Sequence, residues 1–160
     1  MYKKSFILCA IMVKNEASHR RTEDCKSNPE EINCFCENGT PRIIRTLESC
    51  SDWIDDYVVL DTGSTDGTLE LIQDWLNTNK KVYDLYTAEF TDFATTRNIL
   101  IDRCHGKSEY ILLLDANDEI RGFESAWRVL KKHSECNKNF DARRAINTFM
   151  CCFLWENTQK

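Results

Sequence analysis

The sequence predicts an α/β protein built on an open, mostly parallel sheet with helices on both faces. Three observations predict it. Short apolar runs alternate with amphipathic segments of helical period. The runs are continuously apolar instead of alternating, as expected of strands covered on both sides. The two clearest runs end in acidic loops, Asp61-Thr62-Gly63-Ser64-Thr65-Asp66 and Asp115-Ala116-Asn117-Asp118-Glu119, and sheets of this kind place ligands beyond the carboxyl ends of their strands.

The first strand is Phe6 to Val13, preceded by Met1-Tyr2-Lys3-Lys4. It superficially resembles a signal peptide, yet it has no small-residue cleavage site and runs directly into Lys14-Asn15-Glu16, so a core strand is expected. Ser18 to Thr40 is charged and polar, holds Pro29 and Gly39, and reads as an insertion loop. Pro41 suits the first turn of a helix whose Ile43, Ile44, Leu47 and Cys50 share a face. Tyr57 to Leu60 is the second strand. Gly63 then allows a sharp turn, Thr65 or Asp66 caps the next helix, and Leu69, Ile72, Trp75 and Leu76 form its apolar stripe before Asn77 to Lys81 close it. Val82 to Tyr86 is a third strand, and Thr91 or Asp92 caps a helix carrying Phe93, Leu100, Ile101 and Cys104. Tyr110 to Leu114 is the fourth strand, Phe123, Trp127 and Leu130 mark another helix, and Ile146 to Trp155 is apolar and aromatic enough for a further strand.

The 160 residues, 42% hydrophobic and 11% aromatic, suffice for one core, so a single domain over 1–160 with a polar insertion at 18–40 is expected. A net charge of -5 argues against nucleic acid as the main partner, although Lys131-Lys132-His133 and Arg143-Arg144 are locally basic. No apolar stretch approaches the ~20 residues of a membrane span. The nine cysteines are odd in number, and Cys9, Cys151 and Cys152 sit inside apolar runs, which favours reduced thiols and a cytoplasmic location. Cys25, Cys34, Cys36 and Cys50 lack the paired spacing of a zinc site, and His19, His105 and His133 are isolated in polar segments.

The chemistry concentrates in the two acidic loops. Asp115, Asn117, Asp118 and Glu119 offer four oxygen-bearing side chains directly after a strand, a set suited to Mg²⁺ or Mn²⁺ shared with substrate phosphates; the plainer reading is a turn that caps the helix near Gly122. Asp61, at a strand end, can accept hydrogen bonds from a nucleobase or ribose. Asp66 reads equally as a helix cap. Lys14, Asn15 and Glu16 end the first strand and face the same crevice. Arg97 falls on one face with Phe93, Leu100 and Cys104, so it must meet an anion, whether a phosphate, an acidic loop or a structural ion-pair partner, or reach water.

Four segments in order, Ile11-Met12-Val13-Lys14-Asn15-Glu16, then Val58 to Thr68, then Phe93-Ala94-Thr95-Thr96-Arg97-Asn98, then Leu112 to Glu119, resemble the family 2 glycosyltransferases of GT-A fold. The resemblance spans about Ser5 to Ile120, interrupted by the insertion. It implies a nucleotide-binding α/β/α sandwich that moves a sugar from a nucleoside diphosphate donor, UDP- or GDP-linked, to an acceptor. It further implies that Asp61 contacts the nucleobase, that Asn15 and Glu16 lie near the nucleoside, and that Arg97 helps hold the nucleotide or the metal loop. Asp115 to Asn117 takes the family's DXD position, binding Mn²⁺ or Mg²⁺ through the donor diphosphate, with Asn117 in place of the second aspartate and Asp118 next to it. The family's catalytic base and most of its acceptor site lie farther along the chain, and the late carboxylates Glu135, Asp141 and Glu156 sit in no recognisable motif, so no base is named.

Two other functions compete with an active transferase. One is a nucleotide-sugar-binding remnant, or the donor half of a larger enzyme, without turnover of its own. The other is an aspartyl-phosphate enzyme, in which the nucleophile belongs at the end of the first strand, where this chain has Lys14-Asn15-Glu16.

Overall fold

A computed structural model describes residues 5–17, 36–37, 40–54 and 56–136. Six strands and four helices follow in the order β1 (Ser5–Val13), β2 (Cys36–Glu37), β3 (Thr40–Pro41), α1 (Arg42–Cys50), β4 (Asp56–Asp61), α2 (Thr68–Thr78), β5 (Val82–Thr87), α3 (Phe93–Cys104), β6 (Ser108–Asp115) and α4 (Phe123–Cys136). The main sheet has the order β5-β4-β1-β6, and its pairs are all parallel. β2 and β3 form a small antiparallel pair at the end of the insertion. The rest of that insertion and the strand expected at Ile146 to Trp155 lie outside the described residues.

β1 is central because both of its faces are covered. Ile7, Cys9, Ile11 and Val13 point into one core with Ile43, Ile44, Leu47 and Cys50 of α1, Ile72 and Leu76 of α2, and Phe123 and Leu130 of α4. Leu8 and Ala10, on the opposite face by the two-residue period of a strand, meet Leu100 and Cys104 of α3. The result is a three-layer α/β/α sandwich. Each fully buried Ile or Leu in it contributes about 1.5–3 kcal/mol.

The expected helix faces survive in α1 and α2 and shift in α3. Asp92 caps α3 as expected, its carboxylate accepting from Thr95 N at 2.9 Å. The buried face, however, is Thr96, Leu100 and Cys104, while Phe93 is 67% exposed. Arg97 is therefore one position off the buried face, and its guanidinium reaches the crevice without crossing the core. At α2 the N-cap position is Gly67, in the left-handed region at φ 85°, instead of Thr65 or Asp66. Asp66 still serves the helix end, because its Oδ1 accepts from Thr68 N at 3.1 Å. Pro41 likewise precedes the first helical residue, Arg42, instead of occupying the first turn.

Among the described residues Cys9, Cys50 and Cys104 are buried free thiols, and no helix is long and apolar enough to cross a membrane.

Candidate functional site

The site follows from the strand order. β1 is flanked by β4 on one side and β6 on the other, so the chain leaves the sheet centre in opposite directions at this point and opens a crevice at the carboxyl ends. Pairing aligns Val13 with Asp61 and Met12 with Asp115. The two acidic strand ends thus stand two strand spacings apart, roughly 10 Å, with Lys14-Asn15-Glu16 between them.

The Asp61 loop is laced tightly to the end of β1. Thr62 donates from both its backbone N (3.0 Å) and its hydroxyl (3.1 Å) to the Val13 carbonyl. Asn15 adopts φ 55°, a left-handed conformation that asparagine tolerates better than most residues, and this lets its N donate to Ser64 Oγ (2.9 Å) while its Oδ1 accepts from Thr65 N (2.9 Å). Glu16 N and Ala17 N both donate to Thr68 Oγ1, at 2.8 and 2.9 Å. Asp61 itself is only 1% exposed, and its carboxylate accepts from Gly63 N, Ser64 N and the Ser64 hydroxyl. Its oxygens order the loop from within, a role the sequence did not announce. Burial raises the pKa of Glu16 above the ordinary carboxylate range; Arg42 opposes that shift and Asp66 adds to it.

The Asp115 loop is more open. Arg97 Nη2 donates to Asp115 Oδ1 at 2.5 Å, with the two side chains 39% and 55% exposed. The acidic loop is thus a partner of Arg97, through an ion pair with Asp115. The backbone turns through Asp118 N donating to Asp115 O at 3.0 Å. Partial burial of its carboxyl group, and then the charge of Asp115, push Asp118 above its ordinary pKa. Oxygen donors of this kind are the right chemistry for Mg²⁺ or Mn²⁺. Asn117 is exposed beside them. Among the described residues no three His, Cys, Asp or Glu side chains already converge as a metal-binding group, so any cation here would draw further ligands from phosphate or water.

Sequence reasoning missed the residues beneath this loop. Thr46 Oγ1 of α1 donates to Ala116 O at 3.0 Å, Ser49 Oγ accepts from Ile120 N at 3.0 Å, and Arg45 Nε pairs with Glu119 at 3.3 Å. The available signal was a threonine inside an apolar helix face, between Ile43, Ile44, Leu47 and Cys50. It also missed the edge-to-face pair Phe90 and Phe93, with centroids 5.2 Å apart, at the carboxyl side of β5.

The family model described as Glycosyl transferase family 2 matches residues 33–136. Among solved structures, the chain is similar to the crystal structure of S. aureus TarS 1-349, with a TM-score of 0.53 and 19% identity over 81% of this chain and 33% of that one. The crystal structure of S. aureus TarS aligns with a TM-score of 0.49 and 17% identity, covering 81% of this chain and 20% of that one. The chain therefore spans about a third of TarS 1-349, and the likeness establishes a shared fold. No curated protein matches the sequence. The family match takes in the Asp61 loop, α3 with Arg97, and the Asp115 loop, over more than half of the 160 residues, and on that coverage the chain belongs to glycosyl transferase family 2.

Proposed function

We propose that this chain binds a nucleoside diphosphate sugar, UDP- or GDP-linked, with Mn²⁺ or Mg²⁺, and presents the sugar for transfer to an acceptor. The observation that carries the reading is the convergence of Arg97, Asp115 and Asp118 on one side of the switch-point crevice, with the Asn15–Glu16 and Asp61 loops on the other. The separation of roughly 10 Å between the strand ends suits a nucleoside at one and a diphosphate at the other. Asp61, ordered within its loop, and the backbone of Asn15 and Glu16 would frame the nucleoside. Asp115 and Asp118, with the amide oxygen of Asn117, would hold the cation. When bound, the cation supplies neutralisation of the charge that develops on the leaving diphosphate. Arg97 stands where it can exchange Asp115 for a phosphate oxygen, which its planar fork of donors suits.

Calorimetric titration of the chain with UDP and GDP, in Mn²⁺ and in EDTA, tests the reading. Metal-dependent affinity for one of them supports it, and absence of affinity for both overturns it. Turnover is the finer question. Asp61 and Asp66 are engaged by loop hydrogen bonds and Asp115 by Arg97, and this supports a donor-binding unit whose acceptor base lies elsewhere. Binding without release of sugar from any UDP- or GDP-sugar selects that second reading. The free thiols Cys9, Cys50 and Cys104 support a reducing compartment such as the cytoplasm.

A further inference from the structure

We infer that Thr46 and Ser49 of α1 are positioning residues for the Asp115–Asp118 loop, fixing the carboxylates that would meet the donor's metal and diphosphate; the inference rests on the donor-site reading above. Thr46 is fully buried in the apolar face of α1, between Ile43, Ile44, Leu47 and Cys50. A hydroxyl there costs stability unless it is hydrogen-bonded, and a valine would fill the same space. Its hydroxyl donates to Ala116 O at 3.0 Å, a partner 70 residues away and adjacent to Asp115. Ser49, one turn later on the same helix, donates its hydroxyl to the Thr46 carbonyl at 2.7 Å, which leaves its oxygen free to accept Ile120 N at 3.0 Å. The two hydroxyls thus grip the loop at both of its ends. Arg45 adds an ion pair to Glu119 at 3.3 Å.

The grip comes from the layer opposite to Arg97. α1 packs on the face of β1 that holds Ile7, Cys9 and Ile11, and α3 packs on the face that holds Leu8 and Ala10. The loop is consequently held by its backbone from one layer and by the Asp115 carboxylate from the other. Backbone anchoring of this kind sets where ligating oxygens point, and removing such supporting partners costs typically 10–100-fold in metal affinity or activity.

The test compares UDP and GDP affinity in Mn²⁺ and in EDTA for the full chain, Thr46→Val, Ser49→Ala, the double variant and Thr46→Ser. The expected result is a loss of about tenfold in Mn²⁺-dependent affinity for the double variant, unchanged affinity in EDTA, and near-normal behaviour of Thr46→Ser, which keeps the hydroxyl. A merely structural role would lower the melting temperature and leave the ratio of the two affinities intact. Folded variants with the parent's Mn²⁺ dependence overturn the inference while the donor site stands. If the parent chain shows no Mn²⁺-dependent affinity, the donor-site reading fails and this inference with it, and the two failures are told apart in the parent alone. Should Thr46→Val not fold, Ser49→Ala carries the same comparison, with faster amide exchange at Ile120 expected from the lost acceptor.

Discussion

Replacing Arg97 by alanine separates a ligand-binding role from a structural one. The Arg97–Asp115 contact is short, 2.5 Å, but its partners are 39% and 55% exposed, so solvent and salt screen it. A pair of that kind contributes about 0.5 kcal/mol to folding. Arg97 also lies one position off the buried Thr96–Leu100–Cys104 face, so its removal opens no cavity in the core. Arg97→Ala should therefore change the unfolding free energy by less than about 1 kcal/mol in urea titrations. A guanidinium bound to phosphate is a charge-assisted hydrogen bond of about 1.5–3 kcal/mol, which corresponds to a roughly 10- to 150-fold loss of UDP or GDP affinity. Calorimetry in Mn²⁺ on the same preparations supplies the second number. The reasoning is refuted if nucleotide affinity is unchanged, or if the variant loses more than about 2 kcal/mol of stability, which would make the pair structural.

Asp118→Asn tests the opposed demands of stability and binding. Its folded-state pKa is raised, so the parent loses stability as pH rises through that value; the variant should be the more stable near pH 7, lose that advantage below the ordinary value of 3.8, and bind UDP less tightly in Mn²⁺. Asp84 is the reverse case: Arg103 first, and Lys107 after it, hold its pKa below 3.8, so the stabilisation is present above that value and disappears as pH falls through the folded pKa. Asp84→Asn should thus be destabilised at pH 7, and the gap to the parent should close in acid denaturation curves as pH falls below 3.8 and through the folded pKa. Lys81 donates to the carbonyls of Ser51 and Ile54 at 2.6 and 2.7 Å, closing the end of α1, and Lys81→Met should cost about 2 kcal/mol in urea unfolding.

The strands were legible because a parallel strand buried on both faces needs apolar residues at successive positions, and Phe6 to Val13, Tyr57 to Leu60 and Tyr110 to Leu114 all meet that demand. Observed strands extend these runs by one or two residues into polar ends such as Ser108 and Asp115. The face of α3 was misread for a definable reason. Leu100 and Cys104 belong equally to a stripe through Arg97 and Phe93 and to one through Thr96, and periodicity alone does not choose between them; contact with β1 and β4 does. The acidic loops and Arg97 were visible as residue types at strand ends and on a helix. Hydroxyls joining segments some fifty or seventy residues apart, Ser64 and Thr68 to the β1 loop and Thr46 to Ala116, leave no local signature and emerged only from the fold.

The sheet order also bears on how the molecule assembles. β1 pairs Ile7 with Tyr110, whereas its contact with β4, Leu8 with Asp56, closes a loop about half as long. Each doubling of a closed loop costs about 0.6 kcal/mol more in entropy, so the β1–β6 pairing is the harder of the two to close, and topologies rich in distant pairings fold slowly. The crevice exists only after β6 has docked, because Asp115 enters the molecule on that strand. The nucleotide affinity proposed above should therefore appear in refolding only once β6 has docked, together with the protection of its backbone amides.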